Sequence, residues 1–222
     1  MNSVPKLYRI LVVDDHPIVR RGFAQLINHE PDISVCGEAE DLTQALHLLE
    51  SLQPDLVIVD IVLKNANGLE LLKRLPSLAP QTKALVVSMH DEQIYAERVL
   101  RAGARGYVMK QEADEVIVTA IRRVLEGGIY VSDQVNERIL MSFAQNQARS
   151  ETSAIEQLTD RELEVFELIG QGVSTRQIGE RLSISVKTVE TYRARIKEKL
   201  HLETGAELVQ TSVEWAIKRS LA

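Results

Sequence analysis

Short apolar, β-branched runs alternate with longer amphipathic stretches over the first half of the chain. Residues 9–13, 33–38, 56–60, 82–88 and 104–109 read as buried strands. Between them apolar positions recur every three to four residues over 17–28, 42–52, 68–75, 91–100 and 112–125, which predicts five helices. Pro17 suits a first helical turn, Pro76 marks a stop for the third helix, and Gly127-Gly128 an exit from the fifth. Strands and helices alternating at these lengths predict an α/β fold, a doubly wound five-stranded parallel sheet with helices on both faces.

The pattern then changes. Residues 134–143 carry an amphipathic piece (Val135, Ile139, Leu140, Phe143), and 145–153 hold no large apolar residue, which marks a linker. From residue 158 onward the periodicity is helical throughout. Thr159-Asp160-Arg161-Glu162 is a capping box whose helix buries Leu163, Val165, Phe166, Leu168 and Ile169 before Gly170 and Gly172. Ser174 to Gln177 is a second capping box, and the helix over 175–182 buries Ile178 and Leu182. The turn Ser183-Ile184-Ser185 leads into a helix over 186–200 with Val189, Ile196 and Leu200 inward. Two short helices joined by a tight turn predict a helix-turn-helix, and Gly179 would let the pair approach closely. A last helix over 204–218 places Ala206, Val209, Val213, Ala216 and Ile217 on one side, with Trp215 near its end. The organisation is therefore residues 1–128, a partly helical linker over 129–154, and a smaller all-α domain over 155–222.

Composition narrows the class. No apolar run reaches the roughly 18 residues of a membrane span, and the N-terminus has no signal-like core, so a cytoplasmic protein without a membrane partner is expected. The single Cys36 reads as a small core residue, and the five histidines share no metal-ligand spacing. The net charge is −6, yet the helix over 187–199 carries Lys187, Arg193, Arg195, Lys197 and Lys199 against Glu190 and Glu198. That is a focused basic patch on an acidic body.

The strand ends carry the chemistry. Asp14 and Asp15 end the first strand, Asp60 the third, Ser88 the fourth and Lys110 the fifth, at the sheet edge where ligands collect in open α/β folds. Three close carboxylates repel one another unless a cation sits among them, and hard oxygen donors suit Mg²⁺. One carboxylate can then attack a phosphoryl group in line and form an acyl phosphate. Asp60 is the expected nucleophile. Asp15 would bind the metal directly and Asp14 directly or through water, with Asp60 and the Val62 backbone carbonyl adding oxygens. Lys110 would pair with the phosphoryl group and Ser88 would donate a hydrogen bond to it.

Residues 8–125 resemble the receiver domain of two-component response regulators at Asp14-Asp15, Asp60, Gly68, Ser88 and Gly106-Tyr107-Val108-Met109-Lys110. The resemblance implies a flavodoxin-like receiver, a sensor histidine kinase as phosphoryl donor, and Tyr107 as an aromatic switch that turns inward as Ser88 moves to the phosphate. Lys64 stands where the family usually has proline, implying a more mobile loop. Val62 offers no group to orient a water, implying slow loss of the phosphoryl group.

Residues 155–220 resemble the LuxR-type DNA-binding domain at Leu158 to Glu162, Ser174-Thr175, Ile178, Leu182, Ser185 to Val189 and Lys199-Leu200. The whole chain is thus similar to response regulators of the NarL/FixJ family. That similarity implies that Glu190, Thr191 and Ala194, with Arg195, face base edges, and that Lys187, Thr188, Tyr192 and Lys197 touch backbone phosphates. Tyr192 stands where histidine is frequent and Gly179 where alanine is. An acid at Glu190 favours a cytosine amino group. The last helix would form a DNA-bound homodimer, with Val213 and Trp215 at its interface, on a roughly palindromic operator. RNA polymerase is a further candidate partner.

Two other readings share these residues. An acyl-phosphate hydrolase would use the same Asp60, but such enzymes carry a second acid two residues on, where this chain has Val62. A phosphorylation-independent regulator would keep the DNA binding and use the receiver only as a dimerisation surface. The intact Asp14, Asp15, Asp60, Ser88 and Lys110 set favours a phosphorylation-controlled regulator, not an enzyme.

Overall fold

A computed structural model describes residues 6–64, 66–144 and 154–220, which fall into two compact units dividing between residues 146 and 147. The first unit runs β1 (Tyr8–Val13), α1 (Pro17–Asn28), β2 (Ile33–Ala39), α2 (Leu42–Leu52) and β3 (Leu56–Val59). After Asp60 the chain makes a small antiparallel ribbon, β4 (Val62–Leu63) with β5 (Ala66–Asn67). Then come α3 (Gly68–Leu78), β6 (Lys83–Ser88), α4 (Glu92–Arg101), β7 (Tyr107–Met109), α5 (Ala113–Leu125) and α6 (Asp133–Ala144).

The five long-range strands pair in parallel in the order β2-β1-β3-β6-β7. Their order reverses between β1 and β3, which opens a crevice at the carboxyl ends of those two strands. Helices cover both faces, so Leu56 to Val59 are buried without interruption and their sequence shows no alternation. On one face Ile10, Val12, Ile58, Leu85 and Val87 meet Phe23 and Ile27 of α1 and Ile117, Ile121 and Val124 of α5. Side-chain caps start the helices. Asp41 accepts from Gln44 N–H at 2.8 Å, and Asp91 from Gln93 N–H at 2.7 Å.

Pro76 does not stop α3, which continues to Leu78. Proline removes a single donor there, and the Ala79 N–H still closes the last turn on the Leu75 carbonyl at 2.9 Å. The last strand is shorter than expected. Gly103, at φ 105°, and Ala104, whose N–H bonds the Val99 carbonyl, belong to the exit of α4. The loop carrying Lys64 is paired as a ribbon, and Lys64 lies 4.0 Å from Glu40.

Beyond α5 the chain returns to the sheet edge. Gly106 and Tyr130 form a parallel bridge, with Tyr107 N–H on the Tyr130 carbonyl at 2.8 Å and Tyr130 N–H on the Arg105 carbonyl at 3.0 Å. The Ser132 hydroxyl donates to Glu92 at 2.6 Å, and α6 packs on α4 with Val135 buried and Leu140 exposed. The linker residues 145–153 lie outside the described residues.

The second unit comprises a 3₁₀ turn (Ala154–Gln157), α7 (Asp160–Gly170), α8 (Thr175–Arg181), α9 (Val186–Lys199) and α10 (Gly205–Ser220). Both expected capping boxes form. A Cβ on Gly170 would stand 2.5 Å from the Ser212 carbonyl oxygen, so glycine lets α7 and α10 cross closely. Gly179 makes its tightest approach to the turn rather than to a helix: its Cβ would lie 2.8 Å from the Ile184 carbonyl oxygen. On α10 the inward residues are Leu208 and Ser212, while Val209 and Ile217 of the expected stripe are exposed. Trp215 meets Phe166 edge-on at 5.4 Å.

Candidate functional site

The carboxyl ends of β1, β3, β6 and β7 deliver Asp14, Asp60 and Ser88, all buried, and Lys110, which is half-buried. Lys110 Nζ lies 2.5 Å from Asp14 Oδ2 and 2.7 Å from Asp60 Oδ2 and so bridges the two acids. Gly68 packs directly on the Asp60 backbone and donates its N–H to the Ile61 carbonyl at 2.7 Å.

Burial pushes the Asp60 carboxyl above its ordinary value, against the downward pulls of Lys110 and Ser88. Burial also works to lower the Lys110 ammonium, but Asp60 and Asp14 outweigh it and hold its pKa raised. The bridge leaves one oxygen over. Asp60 Oδ1 and Asp15 Oδ1 are buried and carry no hydrogen bond among the described residues. Asp60 Oδ1 therefore faces a site that takes a positively charged or electron-poor group, while Asp15 Oδ1 has the His16 imidazole 2.7 Å away.

Asp14 is fully engaged by comparison. Its Oδ1 accepts from His16 N–H at 2.8 Å while Oδ2 meets Lys110. Asp14, Asp15, His16 and Asp60 offer ligand atoms all within 4.8 Å of one another. His16 was not expected here; the clue was its place directly after the acid pair. Its Nδ1 lies 2.7 Å from Asp15 Oδ1 and 3.2 Å from Asp14 Oδ1.

Ser88 sits at the same edge, its Oγ accepting from His90 N–H at 3.4 Å. Tyr107 is buried and donates its hydroxyl to the His90 carbonyl at 2.6 Å, so its ring occupies the inward position. In β4, Val62 faces Asn67. The adjoining Ile61–Gly68 pair is hydrogen-bonded, and the antiparallel alternation then turns the Val62 carbonyl out of the ribbon.

In the second unit Ser185 caps α9 by accepting from Thr188 N–H at 3.0 Å. Val189 and Ile196 are buried, which leaves Lys187, Glu190, Thr191, Ala194 and Arg195 exposed and Thr188, Tyr192 and Lys197 half-buried beside them. Glu190 lies 3.6 Å from Arg193. Val213 and Trp215 are both half-buried on α10.

The helix-turn-helix is clamped at its far end by Glu162, which accepts from Lys199 Nζ at 2.6 Å and from Thr159 N–H at 2.8 Å. Burial works to raise the Glu162 carboxyl, but Lys199 and Thr159 outweigh it and hold it below the usual range. A depressed acid stabilises the fold above its unfolded value, and that stability is lost as pH falls through the folded value. The melting temperature of the second unit in the full chain should therefore drop on acidification, and drop less steeply in Glu162→Gln. Parallel pH–melting curves for the two proteins would count against the clamp.

Comparison with known proteins fits both units. The sequence matches the response regulator receiver domain over residues 10–122 and the bacterial regulatory proteins of the luxR family over 156–212. It is 35% identical to the oxygen regulatory protein NreC of Staphylococcus carnosus (strain TM300) over 217 residues, 96% of this chain and 98% of the relative. A LuxR-family two-component response regulator from Aurantimonas sp. SI85-9A1 is 32% identical, with a TM-score of 0.58 over 63% of this chain and 99% of its own. RcsB from Salmonella enterica serovar Typhimurium, solved bound to promoter P1flhDC in the presence of phosphomimetic BeF3-, is 25% identical, with a TM-score of 0.56 over 93% and 98%. The chain belongs to the NarL/FixJ family of two-component response regulators, DNA-binding transcription regulators in which a receiver is joined to a LuxR-type helix-turn-helix.

Proposed function

We propose that this regulator accepts a phosphoryl group on Asp60 from a sensor histidine kinase and, once phosphorylated, binds a roughly palindromic operator as a dimer. The observation that carries the reading is the buried, unpartnered Asp60 Oδ1 beside an Asp60 Oδ2 held by Lys110. A carboxylate held on one side and open on the other is positioned to attack.

The donor set fits a divalent cation. Asp60 offers a buried oxygen without a hydrogen bond and Asp15 one that meets the His16 imidazole at 2.7 Å, so these two would be the direct ligands once His16 turns aside, joined by the outward Val62 carbonyl. Asp14, with both oxygens already engaged, contributes through water. Bound Mg²⁺ would supply charge neutralisation for the acids and for the incoming phosphoryl oxygens.

The chain's own residues do the rest. An Asp60 oxygen forms the new P–O bond as the P–N bond of the donor phosphohistidine breaks, and the electron pair leaves with the imidazole. Lys110 turns its ammonium from the acids to the transferred oxygens, and the Ser88 hydroxyl donates to the same group. Any movement of Ser88 is felt by His90, whose N–H it accepts and whose carbonyl holds the Tyr107 hydroxyl. Each tenfold gain in DNA-competent protein needs about 1.4 kcal/mol of differential stabilisation, which a few changed contacts supply.

On the DNA side, exposed Glu190, Thr191, Ala194 and Arg195 would reach base edges, with Lys187, Thr188, Tyr192 and Lys197 on phosphates. Val213, flanked by exposed Val209 and Ile217, would pair two copies, and Trp215 would support that face from its contact with Phe166. No described helix is long and apolar enough to cross a membrane.

Intact-mass spectrometry after incubation with a small acyl-phosphate donor and Mg²⁺ tests the reading. One phosphoryl adduct is expected on the wild type, decaying over minutes or longer, and none on Asp60→Asn. A folded wild type that takes no adduct would leave the phosphorylation-independent regulator in its place.

A further inference from the structure

We infer that Arg20, which no part of the proposed chemistry uses, is a positioning residue for the acid pair. The inference rests on the phosphoacceptor reading above and adds a determinant of its metal affinity. Arg20 lies on α1, one turn after His16, and its side chain is 14% exposed. Its Nη1 donates to the Asp14 carbonyl oxygen at 2.6 Å, while its Nε faces Glu38 Oε2 at 3.5 Å at the end of β2.

The carbonyl it holds belongs to the peptide plane that joins Asp14 to Asp15. A peptide unit is planar, so holding that one carbonyl restricts the torsions on either side of the plane, ψ of Asp14 and φ of Asp15, and with them the directions in which the two side chains leave the turn. The other side of the same turn is held by the sheet. Asp14 N–H donates to the Ala39 carbonyl at 3.1 Å, and His16 N–H donates to Asp14 Oδ1 at 2.8 Å. With Arg20 in place, the loop has a hydrogen bond on each side of Asp14. Asp15 Oδ1 is then presented to the site, with the His16 imidazole 2.7 Å away.

Charge and geometry make opposite demands here, which gives the inference a sharp test. Arg20 is a cation near a cation site, so by Coulomb repulsion alone its removal should tighten metal binding. If it orients the ligands, its removal should loosen binding, as loss of an outer-shell partner does. Direct binding of Mn²⁺, used as a paramagnetic stand-in for Mg²⁺, is measured on the unphosphorylated full chain by water-proton relaxation. Metal-free melting curves run alongside to show that each variant is folded.

Arg20→Met should raise the Mn²⁺ dissociation constant by about tenfold. Phosphorylation of Asp60 should slow at low Mg²⁺ and recover at saturating Mg²⁺, a split that a general loss of structure would not give. Arg20→Lys keeps the charge but not the fork of donors, so it should also loosen binding, by a smaller factor; it decides the matter if Arg20→Met fails to fold. Unchanged or tighter binding in the folded variants overturns the role of Arg20 and leaves the phosphoacceptor reading standing. A wild type that binds no Mn²⁺ and takes no phosphoryl group removes both.

Discussion

Gly68→Ala is expected to lower the melting temperature of the receiver and to abolish its uptake of a phosphoryl group. A Cβ at this position would stand 2.0 Å from the Asp60 carbonyl oxygen and 3.0 Å from both the Asp60 carbonyl carbon and Val59 Cγ2. The obstacle is main chain, so no side-chain rotation relieves it. Gly68 opens α3 and is tied to the Ile61 carbonyl, so the helix cannot back away without breaking that bond. Overpacking of this kind costs about 1–3 kcal/mol, and the upper end applies where backbone must move. The displaced backbone is that of Asp60, the proposed phosphoacceptor, so its carboxylate loses aim along with stability. Thermal unfolding followed by circular dichroism, with intact-mass analysis on the folded fraction, reads both effects. A variant that melts with the wild type and still forms the adduct would show that the contact relaxes freely.

Lys110→Met should be the most damaging change at the acidic edge itself. It leaves Asp14 and Asp60, both buried, without the ammonium that now sits within 2.7 Å of each. Removing one partner from a buried charge cluster costs about 3–5 kcal/mol, because the remaining charges stay desolvated. The pH dependence has a definite sign. In the wild type the raised Lys110 pKa gives stability that is complete below the ordinary lysine range and is lost as pH rises through the folded value. In the variant Asp60 keeps the upward push of burial and loses the opposing cation, so its protonation relieves the strain. The deficit against wild type should be largest near neutral pH and narrow on acidification. Mg²⁺ should raise the variant's melting temperature more than the wild type's, since it replaces a missing positive charge. A deficit independent of both pH and Mg²⁺ would mean that lost packing, not unpaired charge, is what the variant suffers.

Much of this was legible in the residues because the sheet is buried on both faces. Uninterrupted β-branched runs ending in acids leave little choice of element or of orientation, and β1 and β3 appear where those runs lie. Capping boxes at Thr159 and Ser174 are local chemistry and formed as written. What escaped reading depends on partners far along the chain. The β4–β5 ribbon is too short to show a period, and Arg20 finds the Asp14 carbonyl only once α1 has folded onto the sheet. The inward face of α10 is set where Ser212 meets Gly170 of α7, so Val209 and Ile217 of the apolar stripe point outward while Val213 and Ala216 are half-buried. Pro76 misled for a simpler reason: in a last turn it removes only one hydrogen bond.

The bridge between Gly106 and Tyr130 bears on where this protein can be cut. A receiver excised just after α5 would strip Tyr130 from β7 and expose the backbone of Arg105 and Tyr107, a raw strand edge at the proposed aromatic switch. Such an edge recruits strands from neighbouring molecules, so the fragment would tend to self-associate for reasons unrelated to phosphorylation. Carrying the fragment through α6 keeps the edge sheathed and Val135 seated. Dimerisation measured on it would then test the proposed switch and not report the scissors.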